Sequence, residues 1–287
     1  MNEKAEGASC PASGKGGGNM AHNLQDKIIE SSLAKIRHKL LVMSGKGGVG
    51  KSSIAANLAV ALAARGSRVG LMDVDLHGPS IAKIMGIKGL LNITQDSFIE
   101  PWSFGQNLKV VSVQALMPEG DHAVIWRGPA KTGVIRQFIA DVQWGQLDYL
   151  VIDSPPGTGD EPLTVAQVIP DARSIIVATA QEVALADVRK SIHFCQTVKM
   201  GICGLIENMG AFACPHCGKS IELFPAGETE RTARRMGIAF LGSIPFDPEV
   251  VRYCDAGTPV MGVNGSSPFA VALDSILDRV VGSCGGA

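Results

Sequence analysis

Gly45-Lys46-Gly47-Gly48-Val49-Gly50-Lys51-Ser52 decides how this chain folds. It satisfies Gly-x4-Gly-Lys-[Ser/Thr], a spacing that cradles phosphate. Glycines let successive backbone N–H groups converge on one anion without obstruction from a Cβ. Leu40-Leu41-Val42-Met43 ahead of it reads as a short buried strand. Lys51–Ala64 after it reads as a helix whose positive end faces the same anion. There, Lys51 would neutralise the β- and γ-phosphates and the Ser52 hydroxyl would ligate Mg²⁺. A turn needing positive φ would explain the glycines but neither Lys51 nor Ser52. Gly45, Lys46, Gly47, Gly48, Val49, Gly50, Lys51, Ser52 and Ser53 are therefore expected to form the phosphate loop (P-loop) of a nucleotide site.

Outward from the loop, strands and helices alternate. Strands are expected at Ser67–Met72, Leu108–Val113, Tyr149–Ile152, Ser174–Thr179, Gly204–Ile206 and Ile238–Leu241. Helices are expected at Pro79–Met85, Thr132–Ala140, Leu163–Ile169, Ala184–Thr197, Glu228–Met236 and Pro268–Val281. An amphipathic lead-in helix is read between Asn23 and Lys39 from Leu24, Ile28, Leu33, Ile36 and Leu40. Apolar strands without strict alternation, separated by helices, indicate an α/β fold with a mostly parallel sheet and helices on both faces. At 287 residues the chain suits one such domain, and 46% hydrophobic against 5% aromatic residues means a core of small aliphatic side chains. Residues 1–21, rich in Gly and Ser, and 283–287 read as flexible tails around a domain at 22–282.

Formal net charge is −1, so no electrostatic footprint for nucleic acid or an anionic membrane is present. No apolar run approaches the roughly 20 residues of a membrane span, and the first 20 residues lack a signal peptide's apolar centre. The seven cysteines are then expected as thiols in a cytoplasmic protein.

Two acidic stretches fall where a metal and water are needed. Asp153 ends a strand and opens Ser154-Pro155-Pro156-Gly157-Thr158-Gly159-Asp160, which resembles Walker B running into a switch loop; Asp153 would hold Mg²⁺ through water. Asp73 and Asp75 end the strand before them, at the sheet edge where open α/β folds place ligands. Helix capping or a solvated turn would also account for either aspartate.

Cys214-Pro215-His216-Cys217-Gly218, within a loop at 210–225, reads as a metal knuckle. Two thiolates three residues apart can face one ion, and Gly218 permits a tight turn whose N–H groups point at sulfur. Zinc and iron–sulfur centres usually want four ligands, and no second C-x-x-C exists. The simplest source of the missing half is the same loop of a second subunit across a two-fold axis. His216, Cys254 and Cys10 are the other candidates, and zinc fits the same thiolates. Cys195 and Cys203 read as small buried hydrophobes, and Cys284 as part of a glycine-rich tail.

Lys46, second in the phosphate loop, makes it resemble the deviant Walker A of the MinD/ParA-like (SIMIBI) P-loop ATPases. Asp73-Val74-Asp75-Leu76-His77-Gly78-Pro79-Ser80, Trp126-Arg127-Gly128-Pro129, Asp153–Asp160 and the cysteine knuckle together resemble the Mrp/ApbC family of iron–sulfur cluster carriers. The resemblance implies an ATPase (ATP and water to ADP and phosphate, slow), working as a homodimer. It implies that Lys46 reaches the nucleotide of the other subunit, that Asp75 helps position or activate the attacking water, and that Asn208 recognises adenine. It implies a 4Fe–4S cluster bridging Cys214 and Cys217 of two subunits and passing to apo iron–sulfur proteins, among cluster-assembly proteins, with neither nucleic acid nor membrane as partner. The four-cysteine N-terminal motif of the family's eukaryotic members is not met, since only Cys10 precedes the loop. The alternatives are a MinD/ParA-like positioning switch with structural zinc and a nitrogenase-iron-protein-like reductase. The second fits less well, because it bridges its cluster through separated single cysteines.

Overall fold

Residues 17–116, 128–214 and 216–284 are described in a computed structural model. Helix α1 (Gly17–Leu33) leads into β1 (Ile36–Ser44), and α2 (Lys51–Ala64) follows the glycine loop. Then come β2 (Val69–Asp73), α3 (Ile81–Ile84), the short strands β3 (Asn92–Ile93), β4 (Ile99–Glu100) and β5 (Trp102–Phe104), and β6 (Leu108–Ser112). Beyond these lie α4 (Gly128–Asp141), β7 (Leu147–Asp153), α5 (Asp160–Val168), β8 (Arg173–Ala178), α6 (Glu182–Thr197) and β9 (Gly201–Glu207). The chain continues through β10 (Phe212–Ala213), β11 (Ser220–Ile221), α7 (Glu228–Arg235), β12 (Phe240–Ser243), α8 (Pro248–Asp255), α9 (Val260–Val263) and α10 (Pro268–Cys284).

One eight-stranded sheet runs β12-β9-β8-β1-β7-β2-β6-β5, parallel throughout except for the edge strand β5. Its central strands are apolar on both faces because both faces are covered. Leu40 and Val42 of β1 enter one core and Leu41 and Met43 the other; Val151 against Ile152 and Val177 against Ile176 divide in the same way. Helices α2 and α10 seal the first face, and α1, α4, α5 and α6 the second. Helix α2 is buried around most of its circumference, its alanines allowing close approach to the strands. None of the described helices is long and apolar enough to cross a membrane.

The α/β reading holds, and α2 occupies Lys51–Ala64 as the motif predicts. The lead-in helix is shifted: it ends at Leu33, because Ile36 and His38 pair with Leu147 and Tyr149 and so extend β1 backwards. It also begins at Gly17, inside the stretch read as a tail. At the other end α10 continues through Cys284, and that side chain is buried. The short strands β3, β4, β5, β10 and β11 and the helices α8 and α9 were not anticipated; strands of two or three residues are too short for a periodic signal. Cys10, Trp126, Arg127 and Pro215 lie outside the described residues.

Parallel register sets Asp73 beside Asp153, and Ser112 beside Asp73, at the carboxyl ends of the central strands. Phe138 of α4 is fully buried and its carbonyl accepts the Trp144 indole N–H at 2.9 Å. Phe138→Ala is expected to lower unfolding stability by about 3–5 kcal/mol, read as a fall in urea midpoint at unchanged m-value.

Candidate functional site

Turning from β1 into α2 requires positive φ at two glycines, Gly48 at 80° and Gly50 at 81°. A Cβ on Gly50 would lie 2.3 Å from Asn208 Nδ2 and one on Gly45 2.5 Å from the Asp187 backbone, so the loop is pressed against its neighbours where it must be bare. Ser44 Oγ donates to the Lys46 carbonyl, and the Gly157 N–H reaches back to the Ser44 carbonyl at 2.7 Å. The loop after β7 is thereby tied to the glycine loop.

Together these elements enclose a cleft of about 520 Å³. Gly47, Gly48, Gly50, Lys51, Ser52 and Ser53 form one wall, and Asp75, His77, Gly78 and Pro156 face them. Lys51 is 6% exposed; its Nζ lies 2.6 Å from Asp153 Oδ1, 3.1 Å from Ser52 Oγ and 3.9 Å from Asp75 Oδ2. Asp153 Oδ2 is buried without a hydrogen-bond partner among the described residues. Such an orphaned acceptor beside a serine hydroxyl fits a hydrated Mg²⁺.

Burial raises the Asp153 carboxyl above the usual carboxylate range, although the Lys51 ammonium pulls it back. Burial, and then the neighbouring Asp153, push Asp73 up to about 7. Asp73 accepts from the Asp75 N–H at 3.0 Å, the Ile81 N–H at 3.3 Å and Ser112 Oγ at 2.9 Å. It therefore moors both ends of the loop that carries Asp75. Sequence reasoning placed Asp73 at the sheet edge without finding this role, because the partners lie eight and 39 residues away.

Not every anticipated residue lines the cleft. Lys46 is exposed, Val49 is buried, and Gly45 sits behind the loop. Asn208 donates to the Val49 carbonyl at 2.8 Å and lines a separate pocket of about 80 Å³ that shares Gly50 and Ser53 with the cleft. Pro245, Phe246 and Phe269 give this pocket flat apolar walls.

Three residues beyond Met209, which is held at φ 56°, the chain enters the β10–β11 hairpin. Cys214 is partly buried and Cys217 exposed at its tip. Backbone N–H groups of Cys217 and then His216 aim at the Cys214 sulfur, with the Cys217 thiol adding to them, and hold the Cys214 thiol below the ordinary cysteine range. The Gly218 N–H to Cys214 carbonyl bond at 2.8 Å closes the turn, with Gly218 at φ 68°. Phe212 packs edge-on against Phe246, ring centroids 5.8 Å apart, so the hairpin stands on a wall of the Asn208 pocket. Among the described residues no three His, Cys, Asp or Glu side chains converge as a metal site. Neither His216 nor Cys254 joins the two thiols in such a group here; Cys254 is buried with its thiol 3.7 Å from Ser53 Oγ. Cys284 is likewise no tail residue, being buried with Cys203 in the core beside α2.

Residues 35–281 match the ParA family described as NUBPL iron-transfer P-loop NTPase. The chain belongs to this family. Iron–sulfur cluster carrier proteins of Methanocaldococcus jannaschii and Saccharolobus solfataricus are each 43% identical to it, over 90% of both chains in the first case and over 89% of this chain and 87% of the relative in the second. A nucleotide-binding protein from Archaeoglobus fulgidus, solved with ADP, shares 40% identity and a TM-score of 0.71 over 81% of this chain and 91% of its own. The MinD cell-division ATPase of Pyrococcus furiosus, at 21% identity, shares the fold with a TM-score of 0.65 over 86% of this chain and 99% of its own.

Lys51→Met leaves the Asp153 carboxylate buried and unpaired. In metal-free buffer at pH 8 it is expected to lower stability by about 3–5 kcal/mol. A carboxyl whose folded pKa exceeds its unfolded one gains its proton first in the folded chain, so the deficit shrinks as pH falls through that raised value toward 4. Urea unfolding at pH 8 and pH 5 checks this, and a deficit that grows toward pH 5 contradicts it.

Proposed function

We propose that this chain is an ATP-dependent iron–sulfur cluster carrier, binding Mg·ATP in the 520 Å³ cleft and a 4Fe–4S cluster at Cys214 and Cys217 of two subunits. The observation that carries the reading is the knuckle itself. Its two thiols sit on an exposed hairpin with backbone donors turned toward sulfur and with no third ligand beside them among the described residues. A second copy of the hairpin across a two-fold axis supplies the remaining thiolates. The names of the 43%-identical relatives support the same cargo.

On this reading the amides of Gly47, Gly48 and Gly50 and the start of α2 receive the β- and γ-phosphates, and Lys51 leaves Asp153 to neutralise them. Ser52 and, through water, the orphaned oxygen of Asp153 would hold Mg²⁺, which would supply charge neutralisation at the phosphate oxygens. Asp75 positions the attacking water, and Lys46, exposed at the loop's rim, is free to reach the nucleotide of the other subunit. Asn208 contacts adenine in the small pocket whose wall supports the cysteine hairpin, giving nucleotide occupancy a short path to the cluster. Cluster ligands drawn from a hairpin tip, two thiols per chain, suit a cargo that passes by thiolate exchange to cytosolic apo-proteins. A positioning switch with structural zinc remains the alternative reading, but it leaves the iron-transfer relatives unexplained.

Anaerobic reconstitution with iron and sulfide is expected to give wild-type protein the visible spectrum of a 4Fe–4S cluster at one cluster per dimer. Cys214→Ala and Cys217→Ser should take up none while binding ATP normally. Zinc binding with no iron uptake by wild type contradicts the carrier. Gly50→Ala, which adds a Cβ at positive φ against Asn208, should weaken Mg·ATP binding by at least about tenfold in a fluorescent-nucleotide titration.

A further inference from the structure

The loop between β2 and α3 is moored at its ends by Asp73, and its crest is held by a different group. Lys131, in the first turn of α4, has its Nζ 2.8 Å from His77 Nε2 and 2.9 Å from Glu161 Oε1. Glu161, in the first turn of α5, is 3% exposed, and the Lys131 side chain is 13% exposed. Glu161 follows directly on the loop that begins at Asp153, while His77 and its neighbours Asp75 and Gly78 line the nucleotide cleft. One ammonium therefore gathers the loop after β2, the loop after β7 and the start of α4.

A strut between α4 and α5 would explain only part of this. The Thr132 and Thr164 hydroxyls already join those helices at 3.2 Å. A buried ion pair adds little net stability over well-packed apolar side chains. Neither consideration accounts for the third member, a histidine at the rim of the cleft. An ammonium has no lone pair with which to accept, so in this contact Lys131 donates to His77 Nε2 and holds the ring in place; Glu161 Oε1 lies 3.8 Å from the same nitrogen.

We propose that Lys131 is a positioning residue for nucleotide hydrolysis: through its ion pair with Glu161 it fixes His77, and with His77 the Asp75–Gly78 turn, against the cleft. The inference rests on the ATPase reading above. Substrate binding is left to the glycine loop, so loss of Lys131 should act on turnover and spare affinity.

Steady-state hydrolysis by wild type, Lys131→Met, Lys131→Arg, His77→Ala and the Lys131→Met/His77→Ala double variant tests it. Lys131→Met should lower kcat about tenfold with KM within about twofold, and Lys131→Arg should restore at least half of the lost rate. The double variant should be no slower than the slower single one, because both act through one contact. Unchanged kcat, a loss that arginine does not rescue, or losses that multiply in the double variant overturns the proposal. Hydrogen exchange on the free protein separates this from failure of the ATPase reading. Lys131→Met should speed exchange across residues 74–80 while α4 and α5 exchange as in wild type. Equal exchange at 74–80, or acceleration spread over both helices, overturns the positioning role even if wild type hydrolyses no ATP.

Discussion

An ammonium 2.6 Å from a carboxylate, both almost wholly withdrawn from water, is the interaction on which this site depends. Placing Lys51 and Asp153 in the interior carries a desolvation penalty of several kcal/mol per ion, which their attraction and nearby hydrogen bonds only offset. Such a pair is poor stabilising material. It is well suited to exchange, because a phosphate can take the lysine and a hydrated cation the aspartate, and neither charge need be left bare. The orphaned second oxygen of Asp153 is consistent with that use.

What brings the two charges together is ordinary α/β geometry. Asp153 ends β7, Lys51 opens α2, and the register of β2 against β7 adds Asp73 at the same level. The close approach of Gly50 to Asn208 couples the phosphate loop to the strand β9 turn, and Phe246 couples that turn to the cysteine hairpin. Each contact joins residues far apart in sequence through packed groups rather than a flexible linker.

Those couplings were the part of the molecule the sequence could not reveal. The glycine loop and α2 were legible because the motif ties particular residue types to one backbone path. The core strands were legible because sheets covered on both faces leave unbroken apolar runs such as Leu40–Met43. The tight turn around Cys214 and Cys217 was legible from their spacing and the glycine after them. The mooring role of Asp73, the ammonium shared by His77 and Glu161, and the support of the hairpin by Phe246 depend on tertiary neighbours and carry no local pattern. The start of β1 was misread for a related reason: Ile36 and Leu40 satisfy a helical spacing, and only pairing with β7 assigns them to a strand.

Calorimetric titration of the folded protein with Mg·ATP, beside ATP in excess EDTA, tests most directly whether the Lys51 and Asp153 charges are held for exchange with phosphate and metal. The account predicts saturable binding at one nucleotide per chain, with affinity at least about tenfold weaker once the metal is removed. Absence of heat at saturating Mg·ATP, or equal affinity with and without the metal, contradicts it.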